Sequence, residues 1–343
     1  MSRFVYLPPE LVQYIFSLAS AASRHAGRSI CLVASWARRI ALPHLLHTVV
    51  IKDHLANIQF RHHFQGPTYN PGLGSPALPL IRNVWMEAVS DRIISFFNAC
   101  DNIQHLALVD EAFLWLIHSS SPTAAADRFN RKIPALALVR DQDLHLTMIS
   151  ARRNWIRREY ISNVTMRSPL LSKITHIVFA EIAAFPVASD LQSFTRLTHL
   201  AVPFYKGIED GLRLPSLLAV PSLQMLVVVI VTSDVEEEDR TCIEDRVADL
   251  RKIDRRIYLA ESRYRGVGIQ EPWEEEVRGG ESIWDKAIRY TRKYEASGPP
   301  MYVRDTSDVA VTPGTEQSTI AMNERPRYIT RNRDDRARCV SFL

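Results

Sequence analysis

Residues 197–202 read Leu-Thr-His-Leu-Ala-Val and residues 223–228 read Leu-Gln-Met-Leu-Val-Val. In both, apolar residues stand at the first, fourth and sixth positions. The same template occurs at Ile81, Val84 and Met86, at Ile103, Leu106 and Leu108, at Ile133, Leu136 and Leu138, and at Ile174, Ile177 and Phe179. Its last two positions are two residues apart, the period at which a strand returns a side chain to the same face. The central position recurs after 22, 30, 41, 23 and 26 residues, leaving room for the crossovers that a parallel sheet requires. Helical patterns occupy some of those gaps. In residues 90–99, for example, Ile93, Ile94, Phe96 and Phe97 would form an outer layer. A helix over 240–252 and a further strand over 256–260 follow the last template. The expected fold class is therefore α/β, in its plainest form a sheet of look-alike strands.

The template also resembles the strand of a leucine-rich repeat, whose stacked units build a solenoid. Uneven spacing would make this solenoid irregular, and the asparagine that often closes the repeat is missing. On that resemblance the second and third template positions enter the core, and the residues alternating with them face a concave surface. The lane just before the central position holds His105, His176 and His199, with Asn83, Ala135 and Met225 in the other units. His176 and His199 are expected about 5 Å apart on neighbouring strands. No carboxylate or thiolate shares the lane, so a hydrogen-bonding role is expected there rather than a metal or catalytic site. Val109, Ala180, Pro203 and Val229 form an adjoining apolar strip, which either grips a partner or is covered by another part of the chain. These seven residues are the candidate target-binding face.

A second informative stretch is residues 7–19, Leu-Pro-Pro-Glu-Leu-Val-Gln-Tyr-Ile-Phe-Ser-Leu-Ala. Pro8 and Pro9 suit a helix's first turn, where no amide donor is needed, and Glu10 complements the helix dipole. Leu11, Tyr14, Ile15 and Leu18 form one apolar face, with Val12, Phe16 and Ala19 beside it. After a polar break, Ser29 is expected to cap a second helix bearing Ile30, Val33, Ala37 and Ile40, with Leu32 and Trp36 aimed elsewhere. Pro43 is expected to end it and open a short third helix with Leu45 and Leu46. About 40 residues in three small helices fall below the size that supplies its own core. Part of this apolar surface should therefore meet another protein.

The pattern Leu-Pro-x-Glu-Leu, the Ile15-Phe16 pair, Leu32-Val33 followed by Trp36, and the trailing Leu45-Leu46 resemble an F-box, specifically the divergent F-box repeat proteins of fungal type. The resemblance covers about one seventh of the chain. Ser35 departs from it, standing where a basic residue is common. It implies docking on the Skp-type adaptor of a cullin-based ubiquitin ligase through Leu7, Pro8, Leu11, Ile15, Phe16, Leu32, Val33 and Trp36. It further implies a non-enzymatic adaptor whose repeat surface holds a target protein of unknown identity, without cofactors. The alternative is a repeat-based interaction scaffold that never joins a ligase.

Composition is consistent with this. The 343 residues are 46% apolar with a net charge of +4, enough to bury a full core and too little charge to specify a partner. The N-terminus has no apolar stretch of the kind that opens a signal peptide, and no apolar run approaches membrane length. A cytoplasmic or nuclear location is expected, without membrane association and with no expected role for nucleic acid. Cys31, Cys100, Cys242 and Cys339 lack C-x-x-C pairing, so neither zinc nor a disulfide framework is suggested. Gly72-Leu73-Gly74 lies in a Pro-rich connector without the context of a phosphate loop. Arg152, Arg153, Arg157 and Arg158 around Trp155 read as an exposed helix face, and the acidic run 234–239 as a loop.

Residues 271–294 carry Trp273, Val277, Ile283, Trp284, Ile288 and Tyr290 among charges, divided at Gly279-Gly280 into two short helices that could cap the repeats. A basic tail rich in Arg, Pro, Ser and Thr follows and is expected to be disordered. The expected organisation is thus an F-box-like module (1–52), a connector (53–79), a leucine-rich-repeat-like domain (80–262), a helical cap (263–295) and the tail (296–343).

Overall fold

Eight strands form one sheet in the order of the chain, and every neighbouring pair is parallel. They are β1 (Thr48–Ile51), β2 (Asn83–Met86), β3 (His105–Val109), β4 (Leu144–Ser150), β5 (Ile174–Phe179), β6 (His199–Phe204), β7 (Met225–Val231) and β8 (Ile257–Ser262). The computed structural model describes residues 7–64, 78–88, 93–120, 143–150, 168–181, 191–204, 214–233 and 235–297. The expected strand at Ile133–Leu138, the glycine pair at 72–74, the basic helix around Trp155 and the C-terminal tail lie outside these residues.

Ten α-helices stand among the described residues: α1 (Pro9–Ala22), α2 (Arg24–Cys31), α3 (Ser35–Leu46), α4 (His54–Phe64), α5 (Ile93–Ala99), α6 (Asp110–Ser120), α7 (Leu214–Leu217), α8 (Glu237–Ile253), α9 (Gln270–Glu276) and α10 (Ile283–Ser297). Several boundaries correct the sequence reading. Ser23, whose hydroxyl accepts the Ala26 N–H at 3.3 Å, caps α2 six residues before the expected cap at Ser29. Pro43 lies inside α3 rather than at its end, which is tolerated because Arg39, whose carbonyl loses its partner, is exposed. Residues 48–51, assigned to the N-terminal module, are the first strand of the sheet, and part of the connector is helical. Glu237, Glu238 and Asp239, expected in a loop, form the first turn of α8, where their charge suits the helix dipole.

Template positions align across the sheet. Val84, Leu106, Leu146, Ile177, Leu200, Leu226 and Ile257 stand side by side, joined on the other side by Val49. All are buried and belong to one continuous core with Met86, Leu108, Met148, Phe179, Val202, Val228 and Leu259. Ile94 and Phe96 of α5, Phe113 and Leu116 of α6, Leu214 and Leu217 of α7, and Ile243 and Val247 of α8 pack on that same face. A parallel crossover is almost always right-handed. Strands added in one direction therefore place their returning helices on one side. Each large aliphatic chain so buried contributes about 1.5–3 kcal/mol.

The free edge of β8 is closed by side chains. Its outward groups lie at alternate residues, and the Thr291 hydroxyl of α10 accepts the Leu259 N–H at 2.9 Å. Arg251 of α8 donates to the Ile257 carbonyl at 2.6 Å and lies over the Tyr258 ring. Such an edge would otherwise invite another strand. Replacing Thr291 by Val keeps the shape but leaves a buried amide unpaired, so a loss of about 1–3 kcal/mol is expected. Urea denaturation should show a lower midpoint with unchanged slope, and hydrogen exchange at Leu259 should accelerate.

Candidate functional site

The face of the sheet opposite the main core carries the lane expected from sequence, and one further residue. His105 pairs with His145, His145 with His176, and His176 with His199 in the strand register. Four imidazoles therefore form a row along four neighbouring strands, with ring centroids 4.6, 3.9 and 4.2 Å apart; His105 meets His145 edge-to-face, and the other two contacts are stacked. The His176 and His199 rings lie within 12° of parallel. His145 escaped the sequence reading because its strand has Asp143 in place of an apolar first template position. The run Leu144-His145-Leu146-Thr147-Met148 was nevertheless a legible signal, with His just before the central leucine.

Hydrogen bonds orient the stack. The Thr175 hydroxyl lies 2.9 Å from His176 Nδ1, and that of Thr198 lies 2.8 Å from His199 Nδ1. Thr198 has a single hydroxyl hydrogen, which it donates to the Thr175 carbonyl at 3.1 Å. Toward His199 it can only accept, so Nδ1 of His199 carries the proton and Nε2 an open lone pair. Asn83 prolongs the lane toward β1, donating to the Thr48 hydroxyl at 3.0 Å and to the Val277 carbonyl at 3.4 Å.

The C-terminal helices lie over this face. Trp284 of α10 sets its ring edge-to-face on His176 and His199 at 5.5 and 5.2 Å. Trp273 of α9 meets Trp85 of β2 at 5.4 Å. Ala201, Met225, Val227, Val229, Ala260 and Ala287 form a second core beneath α10, and Trp85, Ala107, Ile149 and Trp273 a third beneath α9. The chain reaches this position through a turn at Gly266, whose N–H donates to the Ala180 carbonyl at 3.1 Å. Its φ of +54° lies in the left-handed region that favours glycine.

Of the two expectations for the apolar strip on this face, gripping a partner or being covered by another part of the chain, the second is met. His105, Val109, His176, Ala180, His199, Pro203 and Val229 lie beneath a roof made by the chain itself, with Ala180 and Val229 buried. The expected pair of short helices exists, divided at Gly279 and Gly280, but it covers the face as well as closing the edge. Between roof and ladder remains a cavity of about 240 Å3, bordered by His105, His145, His176, Trp273, Trp284 and Glu276.

Burial sets the charge of these groups. Desolvation, reinforced by neighbouring imidazoles, lowers His145 to about 4 and His176 to about 3. Burial also lowers His105 and His199. In the opposite direction, burial raises the Glu276 carboxyl to about 7, although it accepts the Ile283 N–H at 3.3 Å. No cluster of three or more side chains that could hold a metal ion occurs among the described residues.

The eight N-terminal candidates occupy a different surface. Leu7, Pro8, Leu11 and Ile15 are exposed at the start and along one side of α1. Leu32 and Val33 protrude from the α2–α3 turn, Leu32 at 82% exposure. Tyr14 and Leu18, from the same apolar face of α1, are exposed too. Phe16 turns inward and stacks on Trp36 at 5.4 Å. The inner side of this bundle fully buries Ile30, Ala37 and Ala41 alone among its described apolar residues before Leu46. Arg24 of α2 reaches Glu274 of α9 at 3.4 Å, joining the bundle to the roof. No described helix is long and apolar enough to cross a membrane. The chain matches no protein-family model, no curated protein and no solved structure.

Roof stability should depend on pH in two opposed ways. An imidazole lowered under the roof favours closure above its ordinary 6.5, and that contribution is lost as the pH falls below it. Glu276, raised to about 7, favours closure fully below its ordinary 4.5, and its contribution disappears as the pH rises through 7. Several imidazoles oppose one carboxyl, so acid loosens the roof. Urea midpoints read by tryptophan fluorescence should peak slightly below neutrality and fall steeply toward pH 5. His176→Phe should flatten the acid limb, and Glu276→Gln should remove the shallow decline up to pH 7.

Proposed function

We propose that the chain is a substrate-recognition adaptor of a ubiquitin ligase, its N-terminal helices forming an F-box that docks on a Skp-type subunit of a cullin complex. The carrying observation is the apolar surface of α1 and the α2–α3 turn, where Leu7, Leu11, Tyr14, Ile15, Leu18, Leu32, Val33 and Trp36 are 40–82% exposed. Monomeric proteins rarely expose large contiguous apolar patches, and those that do generally use them to bind. Six of these eight, Leu7, Leu11, Ile15, Leu32, Val33 and Trp36, are residues that the F-box resemblance assigns to the Skp interface. Phe16 is the member that supports the surface from behind, through its stacking on Trp36.

Energetics agree with a docking role. Covering three or four of these side chains yields about 1.5–3 kcal/mol each, enough to leave a net affinity after the entropic cost of association. The strands and helices after residue 47 supply the divergent leucine-rich-repeat-like part of the adaptor. Since the ladder face is filled by α9 and α10, a target protein meets the outside of the roof or the loops at the sheet's ends. Catalysis belongs to the partners, and no cofactor is required by this role.

Co-expression with a Skp-type subunit tests the reading. A stable complex is expected, and Leu11→Asp or Leu32→Asp should weaken it at least tenfold. Both positions are exposed, so the urea midpoint should stay within about 0.5 kcal/mol of the unaltered protein. No complex with the unaltered chain would leave the interaction scaffold outside any ligase as the better description.

A further inference from the structure

The cavity beneath the roof plays no part in the adaptor reading, and its charges do not cancel. Of its two carboxylates, Glu261 is engaged by Arg240, which also holds Glu244 at 3.1 Å. The other, Glu276, is half-buried, and burial raises its carboxyl to about 7, so it carries only part of a negative charge around neutrality. Lys286 of α10 and Arg263 after β8 also border the space, Arg263 lying 5.4 Å from the Tyr264 ring centroid. The floor is the imidazole stack, whose members disfavour one another's protonation. Asp143, at the start of β4, favours the charge on His145 but ranks last among the influences on it. Cationic and protonatable groups thus outnumber the carboxylates that border this space.

The remaining wall is apolar. Val178, Val229, Ile269, Ile283 and Trp284 line it. Drug-sized ligands occupy roughly 300–1,000 Å3, so about 240 Å3 suits something smaller. The depth of burial makes an anion's electrostatic attraction to these groups stronger than it would be on the surface.

We propose that this cavity binds a small amphiphilic monocarboxylate, its hydrocarbon part against Trp284 and the valines and its carboxylate against Lys286 and the histidine ladder, with uptake of a proton by a ladder imidazole. The anion supplies the counter-charge that the buried rings lack, so an imidazole that stays neutral in the empty cavity becomes imidazolium in the complex. By linkage, affinity then rises as the pH falls. This inference stands on the cavity and does not depend on docking to a Skp-type subunit.

The test uses the full chain, titrated with decanoate and with 1-decanol as its uncharged counterpart at pH 6.0 and 7.5. Tryptophan fluorescence follows binding, and calorimetry in two buffers of different ionisation heat counts protons. Decanoate should bind one-to-one, at least tenfold more tightly than decanol, with net proton uptake and about twofold or greater tightening at pH 6.0. Ala180→Phe, which fills the cavity, should abolish binding of both. Replacing His105, His145 and His176 by Phe one at a time keeps a ring in the stack that cannot take a proton, so one of the three variants should bind decanoate with at least half of the proton uptake lost. Failure of decanoate to bind, equal affinity for the two ligands, or binding without proton uptake overturns the proposal. So does unaltered binding by Ala180→Phe. If circular dichroism shows that variant unfolded, unchanged proton uptake in all three ladder variants is the overturning result.

Discussion

Everything in this fold follows from adding each strand beside the last in one direction with parallel polarity. Right-handed crossovers then return on a single side of the sheet, so α5, α6, α7 and α8 cover one face and leave the other without cover. An eight-strand sheet with one bare, largely apolar face would be an aggregation hazard. The chain resolves this after its last strand, where the turn at Gly266 sends α9 and α10 back over the bare face. The same two helices close the outer edge through Thr291. One C-terminal segment thus answers two separate needs of the sheet.

That solution has an electrostatic consequence. Imidazoles on adjacent strands at a surface would titrate near their ordinary value. Under Trp284 they lose water on one side and face one another on the other, so the charged form is disfavoured twice. The roof therefore couples a packing contact to protonation. The same burial raises Glu276 to about 7, so desolvation moves acid and base groups in one cavity in opposite directions, each toward its neutral form. The N-terminal bundle shows the reverse economy. Its inner side is small, its outer side keeps large aliphatic chains in water, and Arg24 ties it to the roof at Glu274.

Much of this was legible in the chain because the signals were local. Period-two alternation placed five described strands and the lane containing His105, His176 and His199. Residues 256–260 marked β8, and the glycine pair correctly divided the C-terminal helices. The misses share a physical cause. Leu46, Val49 and Ile51 fit the strand template, but Leu46 also completes the helical pattern of α3, and a residue at the junction satisfies both. In β4 an aspartate holds the first template position, as one does in β8, which residues 256–260 marked without the full template. Asp254 is fixed there by Arg256, which also donates to the Leu223 and Leu218 carbonyls, and Asp143 is paired with Arg196 at 2.6 Å. An ion pair at the mouth of the strand replaces the apolar contact that the template describes.

The sequence by itself determined which side chains share a face, since alternation along a strand is fixed by covalent geometry and needs no neighbour. It also determined that the first helices carry more apolar surface than three short helices can enclose. Only the tertiary structure decided that His145 joins the other three imidazoles, because strand adjacency arises from register between segments distant in the chain. It alone decided that the lane is covered rather than open, since the segment that covers it comes after the sheet and is positioned by the sheet it covers. The histidines' charge belongs to that second class, because a pKa depends on what surrounds the ring in space.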